Sequence, residues 1–206
     1  MGGTWKDLAK EAQERAVIRA ATRLFENKGY FMTTMDEIAE EANISKATIY
    51  KLFPSKEDLF VKVTESLHEE LISRLQFKKE ASFPEVFSFM VDAFLEALYE
   101  RASLIRMVVF ESFQAPLFIK EKGRVLQMIR RNRERYMKIL LNVVKKGVEE
   151  GYVKFPPEIF AKYLLAVFKG LFTEIIFQQP EDLKILADFT RARVFELVGL
   201  KEVKDV

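Results

Sequence analysis

The sequence predicts an all-α protein of nine helices, and three observations support this fold class. Apolar residues recur at i, i+3, i+4 and i+7 along most of the chain, which is the period of a helix with one buried face. Several of these stretches follow a helix-start signal, a hydroxyl residue with an acid three positions later. No stretch of any length shows the strict apolar–polar alternation of a strand. We divide the chain into two parts, residues 1–54 and 55–206.

Composition excludes several classes of protein. The chain has 206 residues, of which 49% are hydrophobic and 31% charged, a balance typical of a soluble globular protein rather than a disordered one. It has no cysteine, which excludes disulfides, thiolate chemistry and cysteine-based zinc sites. No apolar run is long enough to span a membrane, and the N-terminal residues lack the apolar centre of a signal peptide. We therefore expect a cytoplasmic protein with no membrane partner.

The first predicted helix runs from about residue 10 to residue 28. Val17, Ala20 and Leu24 belong to its buried stripe, and Gly29 is placed to end it. We expect the residues before it, including Trp5, to form a loose arm.

Residues 33–59 contain three helix starts in close succession. Thr34 begins a capping box, Ser45 caps a short run, and Ser55 opens a third helix with acids in its first turn. Asn43 tolerates a left-handed backbone and can therefore end the first of these helices with a sharp turn. A short helix, a tight turn and a second short helix form the helix-turn-helix unit.

The second short helix has two different faces. Ile49 and Phe53 share one face and are expected to pack against the preceding helix. The opposite arc is small, hydroxyl-bearing and basic; between Asn43 and Lys56 the chain has three lysines and no acid. Such a face suits the major groove of DNA and its flanking phosphates. The alternative is a solvated surface helix in an all-α protein.

The basic character of this region is local. The formal net charge of the whole chain is only +2, and residues 1–53 carry eight basic and eight acidic side chains. Weak non-specific affinity for DNA follows from that balance.

This region resembles the N-terminal DNA-binding domain of the TetR family of transcriptional regulators. The match is dense over residues 10–60, and beyond them it is one of length and helix layout only. Two positions depart from the family, because Asn43 and Ala47 stand where it often has glycine. The residues that carry the resemblance are Gly29-Tyr30, Thr33-Thr34, Ile38-Ala39, Ala42, Ser45, Thr48-Ile49-Tyr50, Phe53, Ser55-Lys56-Glu57 and Leu59.

The resemblance implies a three-helix DNA-binding domain in residues 1–54 and a six-helix effector-binding and dimerisation domain in residues 55–206. It implies that Thr34 and Lys56 hold phosphates and that the second short helix is the recognition helix. The DNA-binding residues expected on this basis are Thr33, Thr34, Met35, Ser45, Lys46, Ala47, Thr48, Tyr50, Lys51, Leu52 and Lys56.

The fourth predicted helix starts after Ser55 and runs to about residue 80, so that it connects the DNA-binding part to the rest of the chain. The fifth begins at a capping box of Ser82 and Glu85 and ends near residue 100. A short sixth helix covers about residues 102–112, and a long seventh one covers about residues 117–150.

The seventh predicted helix is basic, with ten basic and two acidic residues from Lys120 to Lys146. We interpret it as a helix with a solvated basic face. A second nucleic-acid surface and an anionic-ligand site are the alternatives. Its inward residues are expected to be Met128, Tyr136, Met137, Leu140 and Val144.

The last two predicted helices cover about residues 158–177 and 181–198. The eighth is apolar nearly all round, which predicts burial on every side. One side is expected to face a second subunit, with a large monomeric core as the alternative. The resemblance implies that these two helices form the four-helix interface of a homodimer.

Most catalytic constellations are missing. The chain has one histidine, His68, and neither a phosphate-binding glycine loop nor a dinucleotide fingerprint. We predict a binding protein rather than an enzyme, without a catalytic site, metal site or cofactor.

Phenylalanine and methionine are abundant in the predicted helices five to eight, in a chain with 19 Phe and 7 Met. Core packing explains most of them, yet such side chains also suit an adaptable apolar pocket. Because the family binds small effectors among these helices, we predict an elongated apolar cavity. Its candidate residues are Phe87, Met90, Phe94, Met107, Phe110, Met128, Tyr136, Phe168 and Phe172.

The sequence thus predicts a homodimeric repressor that binds a palindromic double-stranded DNA operator and is released by a small apolar or amphipathic effector. The rival interpretation is a soluble all-α carrier of apolar ligands without specific DNA binding.

Overall fold

The computed structural model describes residues 5–77, 80–106, 109 and 122–200, and these residues form helices without a strand. The predicted all-α fold class is confirmed. The parts of the sixth and seventh predicted helices at 107–108 and 110–121 lie outside the described residues. The helices are α1 (Trp5–Lys28), α2 (Met35–Glu41), α3 (Lys46–Leu52), α4 (Lys56–Arg74), α5 (Phe83–Glu100), α6 (102–106), α7 (Lys122–Glu149), α8 (Pro157–Glu174) and α9 (Pro180–Leu197).

One continuous apolar core runs through the described chain. At its N-terminal end, α1 packs on α2 and α4 through fully buried residues such as Val17 and Ala21. At its other end, α7 lies along α8, with α5, α4 and α9 packed around this pair. Helix α4 therefore contacts both groups of helices. The predicted domain boundary after residue 54 falls just before α4 and stays a prediction.

The C-terminal helices approach each other closely where α7 ends. A Cβ added at Gly147 would lie 2.6 Å from Phe83 Cε2 and 2.7 Å from Val153 Cγ2. Phe83 is fully buried and stacks against Phe87 and Tyr152, so its ring has no free space to move into. Glycine is thus required for the packing of α5 against the end of α7.

Two helix ends differ from the sequence prediction. Helix α1 begins at Trp5, inside the predicted loose arm, although Trp5 is 87% exposed. Its first turns are rich in strong helix formers and carry the i,i+4 pair Lys10–Glu14, so they form without burial. Helix α4 ends at Arg74 rather than near residue 80, because its buried stripe stops at Leu75.

No helix in the described ranges is long and apolar enough to cross a membrane.

Candidate DNA interface and effector cavity

Helix α2 begins at the predicted capping box. The backbone N–H of Glu37 donates to Thr34 Oγ1 at 3.2 Å, and the Thr34 N–H donates back to Glu37 Oε2 at 2.9 Å. Lys28, at the end of α1, also donates to the Glu37 carboxylate. These bonds, the one from Lys28 first, lower the pKa of Glu37 to about 2. The start of α2 is thereby tied to the end of α1.

The turn between α2 and α3 is a Schellman motif. Asn43 has φ +54°, in the left-handed region that the sequence predicted for it. Its N–H donates to Glu40 O, and the N–H of Ile44 donates to Ala39 O, both at 2.9 Å. These are the two bonds of the motif, and they satisfy carbonyls at the end of α2. The turn fixes the direction in which α3 leaves.

Helix α3 buries one face and exposes the other, as its sequence predicts. Ile49 is fully buried and Phe53 is 4% exposed, whereas Tyr50 is 50% exposed. Ser45 caps the helix by accepting from the Thr48 N–H at 3.1 Å. The exposed or half-buried members of the predicted DNA-binding set are Thr34, Ser45, Lys46, Ala47, Thr48, Tyr50, Lys51, Leu52 and Lys56.

Thr33 and Met35 lie beneath the surface. Thr33 is fully buried and its hydroxyl donates to Gly29 O at 2.8 Å, while Met35 is 7% exposed. Burial argues against the side-chain contacts with DNA that were predicted for these two residues. They were expected in the interface because of the resemblance to the TetR family, in which Met35 stands where some relatives read bases.

Lys56 makes contacts within the protein that the sequence did not reveal. Its ammonium donates to the carbonyl oxygens of Tyr30, Phe31 and Thr33 at 2.9, 3.3 and 3.0 Å, and it lies 4.4 Å from the centroid of the Tyr30 ring. The three carbonyls belong to the loop between α1 and α2. Lys56 therefore holds that loop against the first turn of α4.

A cavity of about 360 Å³ lies among α4, α5, α7 and α8, with α6 at its edge. This volume is at the lower end of the range for ligand pockets. Its described lining is Leu67, His68, Leu71, Leu75, Met90, Ala93, Phe94, Ile105, Val109, Asn132, Arg133, Tyr136, Ile139, Leu140, Leu165, Phe168, Lys169, Phe172 and Thr173.

The predicted ligand-binding residues separate into three groups. Those that line the cavity are Met90, Phe94, Tyr136, Phe168 and Phe172. Phe87 and Met128 are buried outside its lining, and the Phe87 ring packs instead against Phe83 and Phe195. Met107 and Phe110 lie outside the described residues.

Five cavity residues that the sequence analysis did not select as ligand-binding are polar: His68, Asn132, Arg133, Lys169 and Thr173. His68 Nδ1 and Tyr136 Oη are hydrogen-bonded at 2.9 Å. Burial lowers the pKa of His68 to about 4, so the imidazole is neutral at neutral pH, and burial also raises the pKa of Tyr136. Asn132 is 3% exposed, and its Nδ2 has no hydrogen-bond partner among the described residues. Asn132 lies midway between Met128 and Tyr136 on the inward stripe of α7. This spacing was the signal in the sequence that could have identified it as an inward residue.

The His68–Tyr136 bond is flanked by two ion pairs between the same helices. Arg131 of α7 donates to Glu65 of α4 at 2.6 Å, and Arg135 donates to Glu69 at 2.7 Å. We refer to these three pairs as the α4–α7 contact. Two arginines of the predicted basic face are thus engaged by α4 rather than only by solvent.

No group of three or more His, Asp or Glu side chains in the described ranges is arranged to hold a metal ion.

Comparison with known proteins extends these observations. Residues 17–63 match the family model described as bacterial regulatory proteins, tetR family. The chain is 29% identical over 171 residues to the HTH-type transcriptional regulator YhgD of Bacillus subtilis, covering 82% of this chain and 86% of that protein. It is 23% identical over 147 residues to the fatty acid metabolism regulator protein of the same organism, covering 70% and 73%.

The fold also has relatives among solved structures. A TetR transcription regulator from Haloarcula marismortui superposes with a TM-score of 0.76 at 22% identity, covering 90% of this chain and 96% of that one. At this identity the likeness concerns the fold alone.

Replacing Lys56 with Met keeps the aliphatic stem and removes the ammonium. The carbonyls of Tyr30, Phe31 and Thr33 then lose a charged donor, and we expect the free energy of unfolding to fall by about 2 kcal/mol. Lys51→Met, at an exposed position in α3, is the control and should change it by less than about 0.5 kcal/mol. Chemical denaturation without DNA measures both. Equal stability of the two variants would show that the three bonds do not hold the loop.

His68 should make stability depend on pH. Its folded pKa of about 4 lies below the ordinary value of 6.5, so its contribution is complete above pH 6.5 and is lost as pH falls towards 4. Denaturation curves between pH 7 and 4 should show a loss of about 3 kcal/mol that His68→Gln lacks. The carboxylates titrate equally in the wild-type protein and in His68→Gln, and His68 is the only histidine of the chain. The difference between the two pH profiles, measured without a histidine tag, is therefore the contribution of His68. Identical pH profiles would contradict the buried neutral imidazole.

Proposed function

Because the chain belongs to the TetR family of bacterial regulatory proteins, we propose that it is a homodimeric, ligand-responsive repressor. It binds a palindromic operator and is released by a small apolar or amphipathic effector. The observation that carries the proposal is the α2–turn–α3 unit, in which a short helix is fixed by a Schellman turn and presents its non-core face to solvent.

The exposed face of α3 supports recognition of DNA. Tyr50 offers a hydroxyl and a ring, Ala47 a methyl group, and Lys46 and Lys51 positive charges for the phosphates. Lys46 pairs with Asp36 at 2.5 Å, and that pair is exposed. An exposed ion pair contributes little to stability. Lys46 can therefore exchange Asp36 for a DNA phosphate at little cost in free energy.

Exposed apolar residues on α8 and α9 support the homodimer. Ile159 and Tyr163 are 60% and 44% exposed, and Ala166 and Gly170 continue the same stripe of α8. On α9, Ile185 and Phe189 are also exposed. Exposed apolar residues on two helices that pack together are typical of a protein–protein interface. A two-fold axis there brings two copies of α3 to one side of the dimer, and successive major grooves require them to lie about 34–36 Å apart.

Helix α4 provides a mechanical link from the cavity to α3. Its first turn holds the loop before α2 through Lys56, and Leu67, His68 and Leu71 form part of the cavity wall. A ligand that displaces this wall shifts α4 and with it the separation of the two DNA-binding units. A coupling of about 1–3 kcal/mol is enough for regulation, and by linkage the operator then weakens the ligand to the same degree.

The largely apolar lining supports an apolar or amphipathic effector. Phe94 lies 4.3 Å from Phe168 and 4.7 Å from Phe172 between ring centroids, so an aromatic cluster forms one wall. The similarity to a protein named as a fatty acid metabolism regulator is in keeping with such a ligand.

The recognition surface is tested with the operator that genomic-fragment selection yields at about 0.15 M salt. Tyr50→Ala should weaken operator binding about tenfold, and Lys46→Ala should also reduce the salt slope by about one. Both residues are exposed, so melting temperatures should stay constant. Lys138→Ala, at an exposed position in α7, is the control. Selection that enriches no site, with a folded and dimeric protein freed of bound ligand, would favour the carrier interpretation instead.

The interface is tested by a charge within the apolar patch. Phe189→Glu places a carboxylate where Phe189 is expected to be covered by the partner, and burial of an unpaired charge is strongly unfavourable. Sedimentation at micromolar concentration should show a monomer. Leu8→Glu, which changes an exposed apolar residue of α1, should remain a dimer. A dimeric Phe189→Glu protein would place the interface elsewhere.

A further inference from the structure

The cavity carries an unsatisfied hydrogen-bond donor. Asn132 lies in the cavity wall and is only 3% exposed. Its Nδ2 has no hydrogen-bond partner among the described residues. Buried polar groups in proteins are almost always hydrogen-bonded to protein or to water, so the partner of this donor is an atom that the described residues do not supply. The matching ligand atom is an acceptor.

The charges around the cavity have one sign. Arg133 and Lys169 line it, both are exposed and therefore mark its solvent side, and no Asp or Glu belongs to the described lining. Two carboxylates of α4 face α7, and each is paired with an arginine: Glu65 with Arg131 and Glu69 with Arg135. Arg133 and Lys169 are thus the charged residues of the described lining, and Arg133 follows Asn132 directly on α7.

Most of the remaining lining is apolar; the exceptions are Thr173 and the hydrogen-bonded pair of His68 and Tyr136. Phe94, Phe168 and Phe172 form the aromatic wall, and Leu67 and Leu71 of α4 lie on the lining with them. Such a surface accepts a hydrocarbon chain and offers few groups to a second polar end. The described lining therefore combines two exposed cations with a mainly apolar interior.

We propose that the effector is an amphipathic anion. Its acceptor head group, of the carboxylate type, binds Asn132 Nδ2 and the Arg133 guanidinium, and its apolar chain lies against the aromatic wall. This inference rests on the proposed ligand response and adds the chemical class of the ligand. It also gives Arg133 a role different from that of its neighbours Arg131 and Arg135, which bind α4.

Three probes with the same ten-carbon chain test the head group: decanoate, decanol and decyltrimethylammonium. Each is titrated calorimetrically into the full-length protein without DNA, after extraction of co-purified apolar molecules. Decanoate should bind at least about tenfold more tightly than decanol, because a charged hydrogen bond and an ion pair are added. Decyltrimethylammonium should bind most weakly.

Variants then identify the residues that select the head group. Asn132→Leu removes the unsatisfied donor at similar volume, so the protein should melt at the same or a higher temperature while losing most of its preference for decanoate over decanol. Asn142→Leu, an exposed position on α7, is the matched control. Arg133→Gln is an independent variant at an exposed position, and it should also reduce the preference for decanoate over decanol. Arg130→Gln, outside the described lining, should leave that preference unchanged.

The outcomes separate this inference from the proposed function. Equal binding of the three probes, or preference for the ammonium, would overturn the anionic class and leave a ligand-responsive regulator. Binding of none of them, with normal operator affinity, would overturn both the anionic class and an amphipathic effector. A decanoate preference that survives Asn132→Leu and Arg133→Gln would overturn the assignment of the head-group site.

Discussion

The α4–α7 contact is the constraint on which the rest of the structure depends. Helix α4 begins beside the helix-turn-helix and ends in the cavity wall, and α7 forms the opposite part of that wall. The His68–Tyr136 bond joins them at the cavity, Glu69–Arg135 joins the residues directly next to this pair, and Glu65–Arg131 joins the two helices about one turn earlier. Any displacement of α7 by a ligand must therefore reach α4, and α4 leads directly to the loop that Lys56 holds.

The strengths of these bonds suit the movement of α4 that the proposed ligand response requires. Glu69 and Arg131 are exposed, and exposed ion pairs contribute about 1 kcal/mol or less each. The bond between His68 and Tyr136 is part-buried and neutral, so it fixes the register of the two helices without a charged group inside the core. A net intramolecular hydrogen bond is worth about 0.5–1.5 kcal/mol. Together, the two ion pairs and the hydrogen bond are of the order of the coupling free energy that regulation needs. In the proposed mechanism, a ligand that contacts Tyr136 changes the free energy of this α4–α7 contact.

Local signals in the sequence predicted the parts of this arrangement that local forces determine. The capping box of Thr34 and the left-handed Asn43 depend on residues within four positions, and both are present in the structure. Contacts between distant residues were beyond such signals. Lys56 reaches a loop 23 to 26 residues away. The same holds for Asn132, whose missing partner becomes evident only when the surrounding helices are in place.

The unsatisfied Asn132 connects stability to recognition. A buried donor without a partner costs about 1–3 kcal/mol, and a hydrophobic side chain of similar size would avoid that cost. The folded protein carries it at a cavity wall, one turn from Tyr136 and within the α7 segment that contacts α4. A ligand acceptor that satisfies Nδ2 gains the hydrogen bond and removes the penalty, so its binding energy is concentrated one helical turn from Tyr136, which is bonded to α4. In the proposed mechanism, recognition of the head group and displacement of α4 are consequences of the same contact.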